Sequence, residues 1–161
     1  MRLSIFLVVL GFFFTMAACD DNKVDKTVTE QEKVVSAAKD WEESPIFKVN
    51  DYQMIGEEGR LGFIYDNTEE TKFYPDKTQK YMWHFWGNDD ELNGELKVIA
   101  FHKESGEQIT ILEGRPLAGP NNGADHHVPS NMSLPKKGLW KLEAHIGDKL
   151  FGTVFVKVYE G

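Results

Sequence analysis

The residues best suited to chemistry lie in one stretch, GPNNGADHHVPSNM, which holds Asp125, His126, His127 and Met132. Carboxylate, imidazole and thioether groups are ligands of zinc and copper, so a metal site is one hypothesis. Adjacent histidines on an extended chain point to opposite sides, however, and the ligand spacing of the usual zinc motifs is absent. The alternative is that these side chains brace the stretch by hydrogen bonds to its backbone.

A second candidate is the aromatic strand KYMWHFWG. A period of two places Tyr81, Trp83 and Phe85 on one face, and we expect that face to be buried. Trp86 and Met82 then lie on the other face and are the candidate contacts for a partner. A stacking platform for wall sugars is an alternative use of the same aromatic side chains.

Motifs of known enzymes are absent from the sequence. It contains no Gly-x-Ser-x-Gly elbow, no glycine-rich phosphate loop and no His-Glu-x-x-His pair. The acidic pairs, such as Glu57-Glu58 and Asp89-Asp90, stand in polar turns and are typical of solvated surface. We therefore expect a protein that is not an enzyme and that uses no cofactor.

The start of the chain, MRLSIFLVVLGFFFTMAAC, has the features of a secretory signal peptide over residues 1–18. A positive residue, Arg2, precedes a short apolar run and small residues at the end. The last four residues, up to Cys19, resemble the lipobox of bacterial lipoproteins. The resemblance implies that Cys19 carries a diacylglycerol and an N-acyl chain such as palmitate, and that it anchors the protein at the outer face of the cytoplasmic membrane.

Composition restricts the partners. The chain of 161 residues has a formal charge of −8, and the signal peptide contributes only one cation to it. An acidic surface repels nucleic acid and anionic headgroups, so we expect no nucleic-acid partner and no membrane contact except the lipid anchor. The single cysteine also excludes an intrachain disulfide. The folded part must therefore be held by packing and backbone pairing.

Residues 19–45 are polar and charged, with few large apolar side chains before Trp41. Such a stretch cannot bury enough surface to offset the entropy of ordering, which predicts a flexible tether. Residues 29–39 have a weak apolar stripe, and the sequence leaves open whether they form a helix. Residues 46–161 alternate apolar and polar side chains between turn signals. This pattern predicts an all-β domain, an antiparallel immunoglobulin-like β-sandwich of seven or eight strands.

Within the sandwich, residues 114–130 lack periodicity and predict a long irregular loop, where we expect function. The closing hairpin LPKKGLWKLEAHIGDKLFGTVFVKV resembles the last strands of bacterial immunoglobulin-like domains. Together with KYMWHFWG, ELNGELKVIAF and LAGPNNGADHHVPS, it resembles a family of small lipoproteins of Bacillus-type bacteria. The shared domain of that family has no assigned function, so the resemblance implies a fold and not an activity.

The leading hypothesis is a lipid-anchored, non-enzymatic binding or adaptor module at the cell envelope. Its partner would be another envelope protein or a wall polymer. One alternative is binding of copper or zinc through residues 125–132. Another is a protease-inhibitor-like module that presents the long loop, since immunoglobulin-like inhibitors are known in the same bacteria.

The anchor is testable by Cys19→Ala. Because the substitution removes the thiol that receives the lipid, we expect the variant to stall in processing or to leave the membrane. Fractionation and mass measurement of the full chain check this, with Lys23→Ala in the tether as the control. A Cys19→Ala protein of mature size that stays firmly in the membrane fraction would contradict the lipobox.

Overall fold

The computed structural model describes residues 41–161, and in this range it consists of strands and turns. Cys19 and the possible helix at 29–39 lie outside the described residues. Nine strands follow in order: β1 Ile46–Val49, β2 Tyr52–Glu57, β3 Leu61–Ile64, β4 Gln79–Phe85, β5 Glu95–His102, β6 Gln108–Pro116, β7 His126–Met132, β8 Gly138–Ile146 and β9 Lys149–Val158. No helix in this part of the chain is long and apolar enough to cross a membrane.

The strands form two antiparallel sheets. The five-stranded sheet has the order β1-β2-β3-β4-β7, and the four-stranded sheet has the order β6-β5-β8-β9. Consecutive strands of one sheet pair through short turns, except that residues 65–78 connect β3 to β4. The connections from β4 to β5, from β6 to β7 and from β7 to β8 pass from one sheet to the other. Strands β6 and β7 are thus edge strands of different sheets, joined by residues 117–125.

One hydrophobic core fills the space between the sheets, because the apolar residues alternate along each strand. Tyr81, Trp83 and Phe85 point into it from β4, as predicted from their spacing. The closing strands contribute Trp140, Leu142, Ala144, Val154, Val156 and Val158. A core shared by two antiparallel sheets is that of a β-sandwich, so the predicted fold class is confirmed.

The two sheets approach closely at Gly152. A Cβ atom at this position of β9 would lie 2.5 Å from the Leu61 Cδ2 atom of β3, in the opposite sheet. Leu61 itself is fully buried. Glycine at residue 152 therefore leaves the volume that the leucine side chain occupies.

The prediction of an irregular loop over residues 114–130 was wrong at both ends. Strand β6 continues to Pro116, and β7 begins at His126 and pairs with the whole length of β4. Strand β7 is polar and contains Pro129, so the sequence pattern did not predict it. An edge strand tolerates proline, because every second N–H group of such a strand points away from the sheet and donates to no neighbouring strand. The count of nine strands exceeds the seven or eight predicted for the same reason.

Residues 41–45, which the sequence assigns to the tether, lie against the edge of β9. The Ser44 N–H donates to the Phe155 carbonyl at 3.0 Å, and the Phe155 N–H donates to the Ser44 hydroxyl at 2.9 Å. The Trp41 ring lies 5.5 Å from the Phe155 ring. The chain thus enters the sandwich along the outer face of the four-stranded sheet.

Truncation of Trp140 tests the core. This side chain is fully buried, and its indole N–H donates to the Lys136 carbonyl at 2.8 Å. We expect Trp140→Ala to lower the free energy of unfolding by about 3–5 kcal/mol, since it removes an aromatic ring and leaves a cavity. Denaturant unfolding of the full chain in neutral detergent measures the change. Leu150→Ala is the control, at a side chain that is 54% exposed. Equal stability of the Trp140→Ala and wild-type proteins would contradict the assignment of this core.

Candidate functional site

The outer face of the five-stranded sheet, which points away from the core, carries the side chains of interest. On β4 these are Lys80, Met82 and His84, which alternate with the core residues of the same strand. The paired strand β7 places His127 directly opposite His84 and Pro129 opposite Met82. The sequence-predicted histidines therefore lie on a strand of the sheet and not on a free loop.

Residues 117–125, here called the covering loop, cross this face. Ala118 pairs with His127 by two backbone hydrogen bonds of 2.9 and 3.1 Å. A tight turn follows, closed by Asn121 and Ala124, with positive φ at Asn122 and Gly123. Such φ values favour Asn-Gly, as the sequence indicated. A Cβ atom at Gly123 would lie 3.3 Å from the Val49 Cγ1 atom of β1. The loop thus reaches from one edge of the sheet to the other.

His84 lies beneath the covering loop and is fully buried, although it is on the outer face. Its Nδ1 atom is 3.0 Å from the Met82 carbonyl and its Nε2 atom is 3.2 Å from the Asn122 Nδ2 atom. Since a carbonyl only accepts, the proton is on Nδ1, and Nε2 accepts from the Asn122 amide. Burial lowers the pKa of His84, the Met82 hydrogen bond opposes this, and the charge of a protonated His127 lowers the pKa further. His84 is therefore held as a neutral ring.

The two adjacent histidines bind the covering loop to β7. The His126 Nδ1 atom lies 3.0 Å from the Ala118 carbonyl, and the His127 Nδ1 atom lies 2.7 Å from the Gly119 carbonyl. Both rings therefore donate to the backbone of the loop. This is the bracing role that the sequence left open beside the metal hypothesis.

The proposed metal ligands are not brought together. Met132 is buried in the core at the far end of β7, and the Asp125 carboxylate accepts from the Gly87 N–H at 3.0 Å. His126 and His127 point to opposite faces of the strand, as expected for neighbours. His102 lies in the other sheet, where it contacts Ser105 and Lys137. Within residues 41–161 no three His, Cys, Asp or Glu side chains are grouped for a metal ion.

Trp86 and Met82, the two predicted partner contacts, have different surroundings. The Trp86 indole N–H donates to the Gly123 carbonyl at 2.8 Å, and its ring lies 6.2 Å from the Phe47 ring. It is thereby part of the packing beneath the covering loop. Met82 is only half-buried and lies beyond the loop, at the floor of an open groove.

This groove has a volume of about 410 Å³ and runs beside the covering loop. Its lining joins five segments of the chain: Ile64, Thr71, Lys80, Tyr81, Met82, Arg115, Pro129, Ser130 and Asn131. Sequence reasoning missed the two cations. Period two does place Lys80 on the face of Met82, which is a usable signal. No such signal marks Arg115, because it lies within residues 114–130, for which the sequence predicts an irregular loop.

The geometry of this domain can be compared with known proteins. The model of a domain of unknown function, DUF4871, matches residues 31–156. The chain belongs to this family. The match covers residues of both sheets, and it confirms the predicted membership of a family whose shared domain has no assigned function. Comparison with curated proteins found no match.

The DUF4871 domain also has a similar solved structure, the crystal structure of a "putative lipoprotein" from Bacillus anthracis. The two folds agree with a TM-score of 0.60 at 22% sequence identity, over 78% of this chain and 91% of that chain. At this identity the likeness is one of fold. It extends over nearly all of the neighbour, so the sandwich and not a fragment of it is the shared unit.

The burial of His84 makes the stability of the DUF4871 domain depend on pH. A histidine whose pKa is lowered by folding resists protonation in the folded state, so the unfolded chain binds the proton first as the pH falls below about 6.5. We expect the free energy of unfolding to be lower at about pH 5.5 than at about pH 7.5, and we expect this decrease to be smaller in His84→Gln. Urea unfolding at both pH values measures the difference.

The control for this experiment is Leu150→Gln, at an exposed side chain that carries no titratable group, and it should keep the pH dependence of the wild type. An identical pH dependence of the His84→Gln and wild-type proteins would contradict the buried, neutral assignment of His84.

Proposed function

We propose that this protein is an exported, lipid-anchored module that binds a partner at the cell envelope without catalysing a reaction. The signal peptide and lipobox motif that end at Cys19 support the export and the anchor. The described neighbour of the same fold, named as a lipoprotein, agrees with that address. A tether of polar residues between the anchor and β1 gives the sandwich access to partners outside the membrane.

The observation that carries the binding role is the open groove on the outer face of the five-stranded sheet. Its floor is formed by the strands β4 and β7, which pair over seven residues. Sites built on paired strands keep their shape before a ligand arrives, and such preorganisation lowers the cost of binding. A volume of about 410 Å³ lies in the range of small-ligand sites.

The use of the histidines supports a role without catalysis. His84, His126 and His127 each hold the covering loop in place, and His102 holds the turn between β5 and β6 through Ser105. A general base must instead present its ring to a substrate. The covering loop lies flat on the sheet, between Val49 and His127, so an inhibitor role that needs a projecting loop gains no support from it.

The proposed binding is tested with lipid-free envelope material. The full chain, solubilised in neutral detergent, is mixed with envelope material from which membrane lipid has been extracted. Because the detergent covers the anchor, co-sedimentation reports binding by the sandwich alone. We expect the wild type to sediment with the envelope material. The variant Met82→Glu, altered at the floor of the groove, should stay in the supernatant.

The matched control is Leu150→Glu, which adds the same charge at an exposed side chain outside the groove. It should sediment like the wild type, and both variants should keep their melting temperature. Wild-type protein that stays in the supernatant would contradict a binding role at the envelope. Equal loss in both variants would show that added charge, and not the groove, decides the result.

A further inference from the structure

We infer that the groove binds a phosphate ester with a short aliphatic body, a ligand class that rests on the proposed binding function. The charge of the lining carries this inference. Lys80 and Arg115 line the groove, and no carboxylate does. The whole chain, by contrast, has a formal charge of −8. A purely cationic lining on an acidic protein is a local region of positive potential, which favours an anionic ligand.

Other cavities of the described chain differ in this respect. Glu104 and Glu160 line the cavity of about 790 Å³ beside β8, together with lysines. Asp90 and Glu91 line the cavity of about 140 Å³ near Phe151. In those places the cations already have anionic neighbours. The groove on the outer face is the one among the three in which a ligand would supply the negative charge.

The donors of the groove are also free to bind. Among residues 41–161, the side chains of Lys80, Arg115 and Asn131 form no hydrogen bond or ion pair with another residue. Lys80 and Asn131 are direct cross-strand partners on β4 and β7. Their side chains therefore lie on the same face, a few ångströms apart at the backbone. Arg115, from the other sheet, lines the groove with them.

The number of donors favours phosphate over carboxylate. A guanidinium has five N–H donors in a planar fork, an ammonium has three and an amide has two. A phosphate monoester has three terminal oxygens that point in different directions, so it can accept from donors on several sides, and arginine binds it in a bidentate way. A carboxylate has only two oxygens, which lie in one plane, so it matches donors that come from several sides less well. The floor of Ile64, Met82 and Pro129 is apolar and suits an aliphatic body beside the charged group.

Titration calorimetry of the full chain in neutral detergent tests the inference, with propyl phosphate as the probe. We expect saturable binding that weakens as salt rises from about 50 to about 500 mM, because exposed charges are screened. The double variant Lys80→Gln, Arg115→Gln should bind at least about tenfold more weakly, since it removes the charge-assisted hydrogen bonds. Butyrate, which has an aliphatic body of similar size, should bind more weakly than propyl phosphate.

The matched control is Lys48→Gln, Lys149→Gln, which removes the same charge at two exposed lysines outside the groove. It should bind propyl phosphate like the wild type. Equal weakening in both double variants would overturn the site, and butyrate binding as tight as propyl phosphate would overturn the ligand class. No binding of propyl phosphate, with envelope sedimentation intact, would overturn this inference and leave the proposed function standing. Met82→Glu, which keeps both cations, gives a second test of position and should also weaken binding.

Discussion

The structure depends on aromatic packing around Phe63, since a single cysteine excludes any intrachain disulfide from the fold. The Phe63 ring has four aromatic neighbours, with centroids at 4.8 Å for Trp83, 5.2 Å for Tyr81, 6.1 Å for Phe73 and 6.4 Å for Tyr65. Most of these pairs are edge-on or tilted, the arrangement that the ring quadrupole favours. They join β3, β4 and the long connection between them into one unit. The outer face of the same strands is thereby held rigid.

A second, smaller packed layer lies on that outer face. Met54, His84 and Ala124 are buried there, beneath or within the covering loop, and they are separate from the main core. The layer is polar at its centre, since His84 hydrogen-bonds to Met82 and Asn122. A buried polar group that loses its partner carries the full cost of desolvation, so this layer tolerates one arrangement of the loop. The loop therefore covers one part of the face and leaves the groove open beside it.

The covered part of the sheet face and the open groove beside it meet at Met82. The carbonyl of Met82 accepts the hydrogen bond that orients His84, while the side chain of Met82 forms the floor of the groove. The covering loop and the groove thus share one residue of β4. Residues 41–45, which end the predicted tether, enter along the four-stranded sheet, on the face opposite to the groove. A ligand at the groove would thus meet the side of the sandwich away from the incoming tether.

The sequence by itself determined the fold class and the facing of the strands. Period-two alternation assigned Tyr81, Trp83 and Phe85 to the core, because burial of alternate side chains is a local consequence of strand geometry. The pair Asn122-Gly123 is likewise typical of a turn with positive φ, which is a local property of those residues. Strand β7 and the site required the tertiary structure. An edge strand with proline has no clear pattern, and whether an outward histidine is exposed depends on a loop that folds back from elsewhere in the chain. The meeting of Lys80 with Arg115 depends on which edge strands of the two sheets lie side by side, and no pattern within either segment encodes that.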